Sequence, residues 1–171
     1  MGLVSVPTTH RTPRMTEPRA TDLLERLLNA LSEELPADRP LAPPRGEGPF
    51  LFDVEIASMP VTLRCDPRHS PACLTVACPL GPVPEGDALA EAALRQLLRV
   101  SQLTAGSGTV AGYEPGDRRL HLLHVVPLAT ASARLLLATM TGLAHMARRW
   151  RDDHFLGAAP LADGLSASLR A

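Results

Sequence analysis

Leucines at helical spacing open the ordered part of the chain. Between Thr21 and Pro36 they fall on one broad helical face, at Leu23, Leu24, Leu27, Leu28, Leu31 and Leu35. Thr21 is a suitable cap, and the Asp22 carboxylate is favourable in a first turn because it interacts with the helix dipole. The pattern therefore predicts a helix that begins near Thr21 and ends at Pro36.

Three strands are predicted next. Over residues 50–57, large apolar side chains stand at every second position from Phe50 to Ile56 and Asp53 and Glu55 lie between them, which is typical of a strand with one buried face. A turn at residues 58–60 leads into a second alternating strand over residues 61–65. Residues 74–78 give a third strand, which we expect Pro79 and the stretch of Gly and Pro over residues 81–84 to end. Short connections between the three predict an antiparallel meander.

In the second half of the chain, the spacing of apolar residues again changes between that of helices and that of strands. A helix is predicted from Asp87 to about Leu103, followed by two strands over residues 109–113 and 120–126 with a turn between them. A long helix follows over about residues 129–152. The order α-β-β-β-α-β-β-α predicts an α+β domain in which a twisted antiparallel sheet packs against helices.

The folded domain is expected over residues 21–156. Residues 1–20 contain three prolines and no apolar period, so we expect a disordered arm there. Residues 36–49 are rich in Pro and Gly and predict a loop. Residues 157–171 are rich in Ala, Gly and Ser, which predicts a flexible tail.

The helices are more apolar than one small sheet requires. Apolar side chains cover about two thirds of the circumference of the second helix and about 200° of the third. Loops and the ends of neighbouring helices are one way to cover this excess. A second subunit or a bound chain is the other, because large apolar patches mark interaction sites, and we favour it.

Composition narrows the classes of function. The chain has 171 residues, of which 45% are hydrophobic and 3% aromatic, and its formal net charge is -1. Few rings and no net positive charge argue against nucleic-acid binding. No stretch approaches the about 20 apolar residues of a membrane span, and no signal peptide is predicted. The odd set of three cysteines suits reduced thiols, so we expect a soluble cytoplasmic protein.

Candidate catalytic and metal-binding groups do not converge in the sequence. Four residues could be zinc ligands by type: Cys65, His69, Cys73 and Cys78. Their spacing does not give the closely spaced ligand pairs of a structural zinc site. His121 and His124 stand three apart on a strand, so they point to opposite faces and cannot share an ion or a proton. Asp53 and Glu55 share one strand face, but outward carboxylates of this kind are usually solvated. We therefore predict no metal, no cofactor and no enzymatic activity.

A basic cluster ends the last helix, at Arg148, Arg149 and Arg151. Cations are favoured near a helix C-terminus because they interact with the helix dipole. We prefer this explanation to phosphate binding, because the chain as a whole carries no positive charge.

Six short phrases lie in order along the chain. They are the leucine helix over residues 23–31, the strand 51–54, the stretch 74–81 with Val83-Pro84, the helix centre 94–98, the hairpin 112–122 and the ending 147–151. In order and spacing they resemble the class I type III secretion chaperones, also called the Tir-chaperone or CesT-like family. The resemblance covers about residues 22–155.

The resemblance implies a homodimer that binds N-terminal segments of secreted effectors, keeps them non-globular and delivers them to the secretion ATPase. It implies no catalysis and no use of nucleotide. It places client contacts on the first helix and the adjoining sheet face, and this role needs sheet edges that can accept an added strand. On the helix we select Leu23 and Leu27, at the edge that Glu34 interrupts. It assigns the dimer interface to the second helix, with Leu94 and Leu98 on the side that faces away from the sheet.

Three alternatives stay open at this point. The protein is either dedicated to one effector or a broad-specificity export-control chaperone. It could also be a regulatory or interaction domain of the same fold without secretion clients. A small enzyme is the third class, although no convergent site favours it.

Overall fold

A computed structural model describes residues 19–35, 49–66, 72–114 and 119–157. Its helices are α1 (Ala20–Glu34), α2 (Asp87–Ala105) and α3 (Ala133–Asp153), and its strands are β1 (Phe50–Ile56), β2 (Met59–Cys65), β3 (Cys73–Pro82), β4 (Thr109–Glu114) and β5 (Arg119–Pro127). The predicted α+β class and order of elements are confirmed. The expected tail from residue 158, the arm up to residue 18 and most of the 36–49 loop lie outside the described residues.

The five strands form one antiparallel sheet in the order β1-β2-β3-β5-β4. The meander β1-β2-β3 is confirmed, and β5 pairs with β3 along nearly its whole length. Alternate residues of the strands point to one buried face, which β2 and β3 fill with uncharged side chains: Met59, Val61, Leu63, Cys65, Leu74, Val76, Cys78 and Leu80. The opposite face is not covered by a helix among the described residues, because α1 and α3 pack on the buried face.

The helices take different positions around this sheet. Helix α3 packs across β3 and β2 and buries Trp150, Leu136 and Met140, while α1 packs against α3 and the 3-10 turn Leu128–Thr130. Helix α2 instead runs along β4 at one side of the sheet. The apolar stripe of α1 is therefore buried against α3, whereas α2 has one strand to cover a much wider apolar surface.

The turn between β1 and β2 differs from the predicted one. It consists of Ala57 and Ser58, so Met59 and Pro60 belong to β2 rather than to the turn. The buried alternation of β2 begins at Met59, and the strand must include that residue to keep its side chain in the core. Both turn residues have positive φ, as a two-residue type I′ hairpin requires.

Two further boundaries were predicted wrongly. Pro79 does not end β3, because the register shifts between Pro79 and Gly81 and prolines are tolerated at such irregularities. Gly81, with φ of +117°, adopts a conformation that side chains disfavour. Helix α3 begins at Ala133 rather than near residue 129, since the 3-10 turn precedes it and Ser132 Oγ accepts a hydrogen bond from the Leu135 N–H at 3.3 Å.

Candidate functional site

The β4 edge of the sheet is partly closed by hydroxyl groups of α2. Ser101 Oγ accepts a hydrogen bond of 2.8 Å from the Ala111 N–H. Thr104 Oγ1 lies 3.1 Å from the Thr109 carbonyl oxygen, and both threonines are buried. These backbone groups would otherwise bind another strand, so α2 protects this edge against added chains.

The β1 edge has no strand beyond it in the described residues. Because Ala57 and Ser58 form a two-residue loop, the residues on either side of it, Ile56 and Met59, form a hydrogen-bonded pair. From there, non-bonded and hydrogen-bonded pairs alternate along β1 and β2. Residues in the non-bonded pairs direct their N–H and C=O groups away from β2; these are Leu51, Asp53 and Glu55. Pro60, which pairs with Glu55, fits this register because a non-bonded pair needs no N–H from it.

Side chains on the two faces of β1 differ in character. Phe52 and Val54 are half-buried beside the core on the covered face. Leu51, Asp53 and Glu55 are exposed on the other face, and 66% of the Leu51 side chain is accessible. A chain added to this edge would find backbone hydrogen-bonding groups together with incompletely covered apolar side chains. This is the arrangement that strand addition uses.

The uncovered face of the sheet carries a cavity of about 640 Å³. Its lining comes from all five strands and mixes polar with apolar groups, among them Arg64, Cys73, Thr75, His121 and Leu123. The cavity is open to solvent, so it could contact the side of a chain bound along the sheet.

The predicted client-binding residues lie on α1 but differ in exposure. Leu23 is half-buried and packs against the core, so part of its side chain is available to a bound chain. Leu27 is 6% exposed and belongs to the core. The expectation that Leu27 is exposed is wrong, because its side chain packs in the hydrophobic core. Client binding by these two residues remains a prediction.

The predicted interface residues lie on the uncovered part of α2. Leu98 is 64% exposed, and Leu94, one turn earlier, is half-buried. The buried side of this helix instead carries Ala93, Leu97 and Val100. A leucine as exposed as Leu98 suits an interface with a second subunit, and that role also stays a prediction.

The cysteines are free thiols in different surroundings. Cys65 and Cys78 are buried on the covered face, and burial is the main cause that raises the pKa of each thiol to about 11. Such thiols stay protonated near neutral pH and are poor nucleophiles. Cys73 is half-buried at the cavity on the other face, so the sheet separates it from Cys65 and Cys78.

The two histidines of β5 are placed on opposite sides of the sheet, as predicted. His124 Nδ1 lies 2.8 Å from Thr109 Oγ1, and burial lowers the pKa of His124. His121 lines the cavity on the uncovered face. In the described part of the chain, no group of three or more His, Cys, Asp or Glu side chains is placed to hold a metal ion. His69 lies outside the described residues.

Helices of the described residues are too short or too polar to cross a bilayer.

Solved structures share this fold. A chain of the HopA1–SchA chaperone–effector complex matches with a TM-score of 0.60 and 21% identity, over 78% of this chain and 96% of that one. A chain of the ExsC–ExsE complex matches with a TM-score of 0.59 and 17% identity, over 82% and 98%. The chain therefore has a fold like that of the class I type III secretion chaperones. No family model matches the chain, and no curated protein matches its sequence.

Sequence reasoning missed the free edge of β1. The alternation of residues 50–56 predicts a strand but not its place in the sheet. One signal was present: β1 carries Asp53 and Glu55, whereas the central strand β3 has no charged residue. Charged side chains are typical of edge strands, where they discourage uncontrolled pairing.

Proposed function

We propose that the protein is a cytoplasmic chaperone that binds N-terminal segments of type III secreted effector proteins and keeps them competent for secretion. The observation that carries this proposal is the edge of β1, which pairs with no further strand among the described residues and lies beside half-covered apolar side chains. The chaperone-like fold supports it, and the HopA1–SchA structure is a complex of a chaperone with an effector.

The client is held in two places on one protomer. Strand addition at Leu51, Asp53 and Glu55 supplies backbone hydrogen bonds that do not depend on the client's sequence. Leu23 on α1 supplies apolar contact, and Leu27 beneath it forms the floor of that surface. A client bound in this way stays extended instead of folding on itself.

A homodimer completes the proposed assembly, with Leu94 and Leu98 of α2 at the interface. Two copies would cover each other's exposed α2 flank and present two client surfaces. The dimer would deliver its client to the secretion ATPase, and the chaperone itself would perform no catalysis and need no cofactor.

The test is capture of clients from the native cell with a variant that blocks the β1 edge. Asp53→Pro removes one outward N–H but no bond of the β1-β2 ladder, because Asp53 and Thr62 form a non-bonded pair. Asp53→Thr is the matched control, since it keeps the N–H and suits a strand. The wild type and the control should capture secreted proteins through their N-terminal segments, and Asp53→Pro should lose most of them.

Two results would contradict the proposal. One is that the wild type captures no secreted protein under conditions where the apparatus is expressed. The other is that Asp53→Pro, with an unchanged melting temperature, captures the same proteins as Asp53→Thr.

A further inference from the structure

Two carboxylates lie beside the free backbone groups of β1. Asp53 and Glu55 project from the uncovered face of the sheet and are exposed. Thr62 Oγ1 donates a hydrogen bond of 2.5 Å to Asp53 Oδ1, which fixes that carboxylate on the strand. In the part of the chain that the structure describes, neither carboxylate forms an ion pair with a basic side chain.

The neighbouring strand does not neutralise these charges. Opposite Asp53 and Glu55, β2 places Thr62 and Pro60, while its arginine, Arg64, stands opposite Leu51. The free edge of β1 therefore presents a local negative charge in a chain whose formal net charge is only -1. Attraction to this edge would be local rather than a property of the whole surface.

Strand geometry determines where the side chains of an added strand would go. Directly opposed residues on antiparallel strands have Cβ atoms about 4.5–5.5 Å apart on the same face of the sheet. Residues opposite Asp53 and Glu55 would thus share the uncovered face with both carboxylates. The residues between them would point to the other face, where Phe52 and Val54 are incompletely covered.

We propose that the β1 edge selects client strands in which basic and apolar residues alternate, with Arg or Lys opposite Asp53 and Glu55 and apolar side chains beside Phe52 and Val54. The inference rests on the proposed function and names the chemistry of the segment that this edge accepts. Like charges directly opposite each other destabilise a strand pair, so an acidic strand is rejected. A wholly apolar strand would remove water from the carboxylates without replacing its hydrogen bonds.

Synthetic peptides test this preference without a known client. Three labelled ten-residue peptides alternate valine with arginine, threonine or glutamate. Fluorescence anisotropy should show the arginine peptide binding the wild type about tenfold more tightly than the threonine peptide, from two favourable cross-strand pairs, and the glutamate peptide binding most weakly. The advantage of arginine should shrink as salt is added, because the carboxylates are exposed.

Variants of the chaperone assign the preference to these two carboxylates. With Asp53→Asn and Glu55→Gln combined, the arginine and threonine peptides should bind equally. With Asp53→Lys and Glu55→Lys combined, the glutamate peptide should bind best. The matched control combines Glu85→Lys with Glu91→Lys, which changes the net charge equally at exposed positions on or next to α2, the helix that packs along β4. This control should keep the preference for arginine.

Hydrogen exchange locates the bound peptide, which should protect the amides of Leu51, Asp53 and Glu55. Equal binding of the arginine and threonine peptides at low salt would overturn the inference, and so would an arginine preference that survives Asp53→Asn with Glu55→Gln. Failure of every peptide to protect these amides would overturn it as well. The proposed function is judged separately, because capture of secreted proteins does not require their strands to be basic.

Discussion

The Arg148 guanidinium donates a hydrogen bond to the carbonyl oxygen of Ala57, 91 residues earlier in the chain. The contact ties the last helix to the turn that joins β1 to β2. Ala57 and Ser58 have φ of 50° and 60°, a left-handed conformation that costs residues with a side chain about 1–2 kcal/mol each. Helix α3 therefore holds a turn whose own residues disfavour it, and this turn sets the register of the free edge.

Replacing the turn by Ala57→Asn and Ser58→Gly should stabilise the protein by about 1–2 kcal/mol, because Asn-Gly is the favoured type I′ sequence. Urea denaturation followed by circular dichroism measures the change. Arg148→Met should destabilise the wild type more than it destabilises the Asn-Gly variant, since the improved turn depends less on the guanidinium. Equal losses in both backgrounds would mean that Arg148 does not support the turn.

The hydroxyl groups that protect β4 give a second prediction. Combining Ser101→Ala with Thr104→Val should lower the free energy of unfolding by about 2 kcal/mol, because backbone groups of Ala111 and Thr109 lose their partners. The freed edge should also promote association of chains, measured as light scattering that grows with concentration. The exposed Gln102→Ala, on the same helix, should change neither.

How far the sequence could predict this structure depends on whether the deciding interaction is local. Strand β1 was predicted to within one residue of its bounds because an apolar side chain recurs at every second position from Phe50 to Ile56. Pro79 is a local breaker, yet the pairing of β3 with β5 carries the strand past it. The position of β1 at the edge also depends on which strand pairs with β5, and no periodicity encodes that choice.

The candidate site shows the same limit on α1. The leucine stripe correctly predicts an apolar helix, but Leu23 is half-buried whereas Leu27 is in the core. The pattern alone cannot show which of these leucines the rest of the protein covers. Leu27 was therefore assigned to the surface although only 6% of it is exposed.

Leu23 and Leu27 should now behave differently when each is changed to Asp. Leu27→Asp places a charge in the core and should cost several kcal/mol, about 4 or more, so the protein unfolds or melts far lower. Leu23→Asp should cost about 1 kcal/mol or less and leave the fold intact, while client capture falls. Thermal melting and client pull-down check both. If Leu23→Asp folds and captures clients normally, client binding does not involve this part of α1.

Alkaline pH should lower the stability through the buried thiols. Burial raises the pKa of Cys65 and Cys78 from 9.0 to about 11, so between these values the unfolded chain has lost thiol protons that the folded protein keeps. This stabilisation is present below pH 9 and is lost as the pH rises to about 11. Because the chain contains no lysine, few other side chains titrate between pH 9 and pH 11.

Urea midpoints measured from pH 8 to pH 11 test the thiol effect. The wild type and Cys73→Ala should show nearly the same fall, because burial is the main cause that raises the pKa of Cys65 and the charge of Cys73 is the smallest of its three causes. The combination of Cys65→Ala with Cys78→Ala should start from a lower stability and vary less with pH. A slope that is unchanged in this double variant would assign the pH dependence to other groups.

The dimer can be tested by comparing two exposed leucines of α2. Leu98 is 64% exposed and Leu103 is 71% exposed, but five positions separate them, which places them about 140° apart around the helix. Leu94 lies on the same flank as Leu98, so the proposed interface contains Leu98 and not Leu103.

Leu98→Asp should give the mass of one chain in light scattering, and Leu103→Asp the mass of two, because a charge at a buried interface is costly whereas one at an exposed position is tolerated. Circular dichroism should show both variants folded at the concentrations used. Two chains for both variants would place the interface on another surface, and one chain for the wild type would remove the dimer altogether.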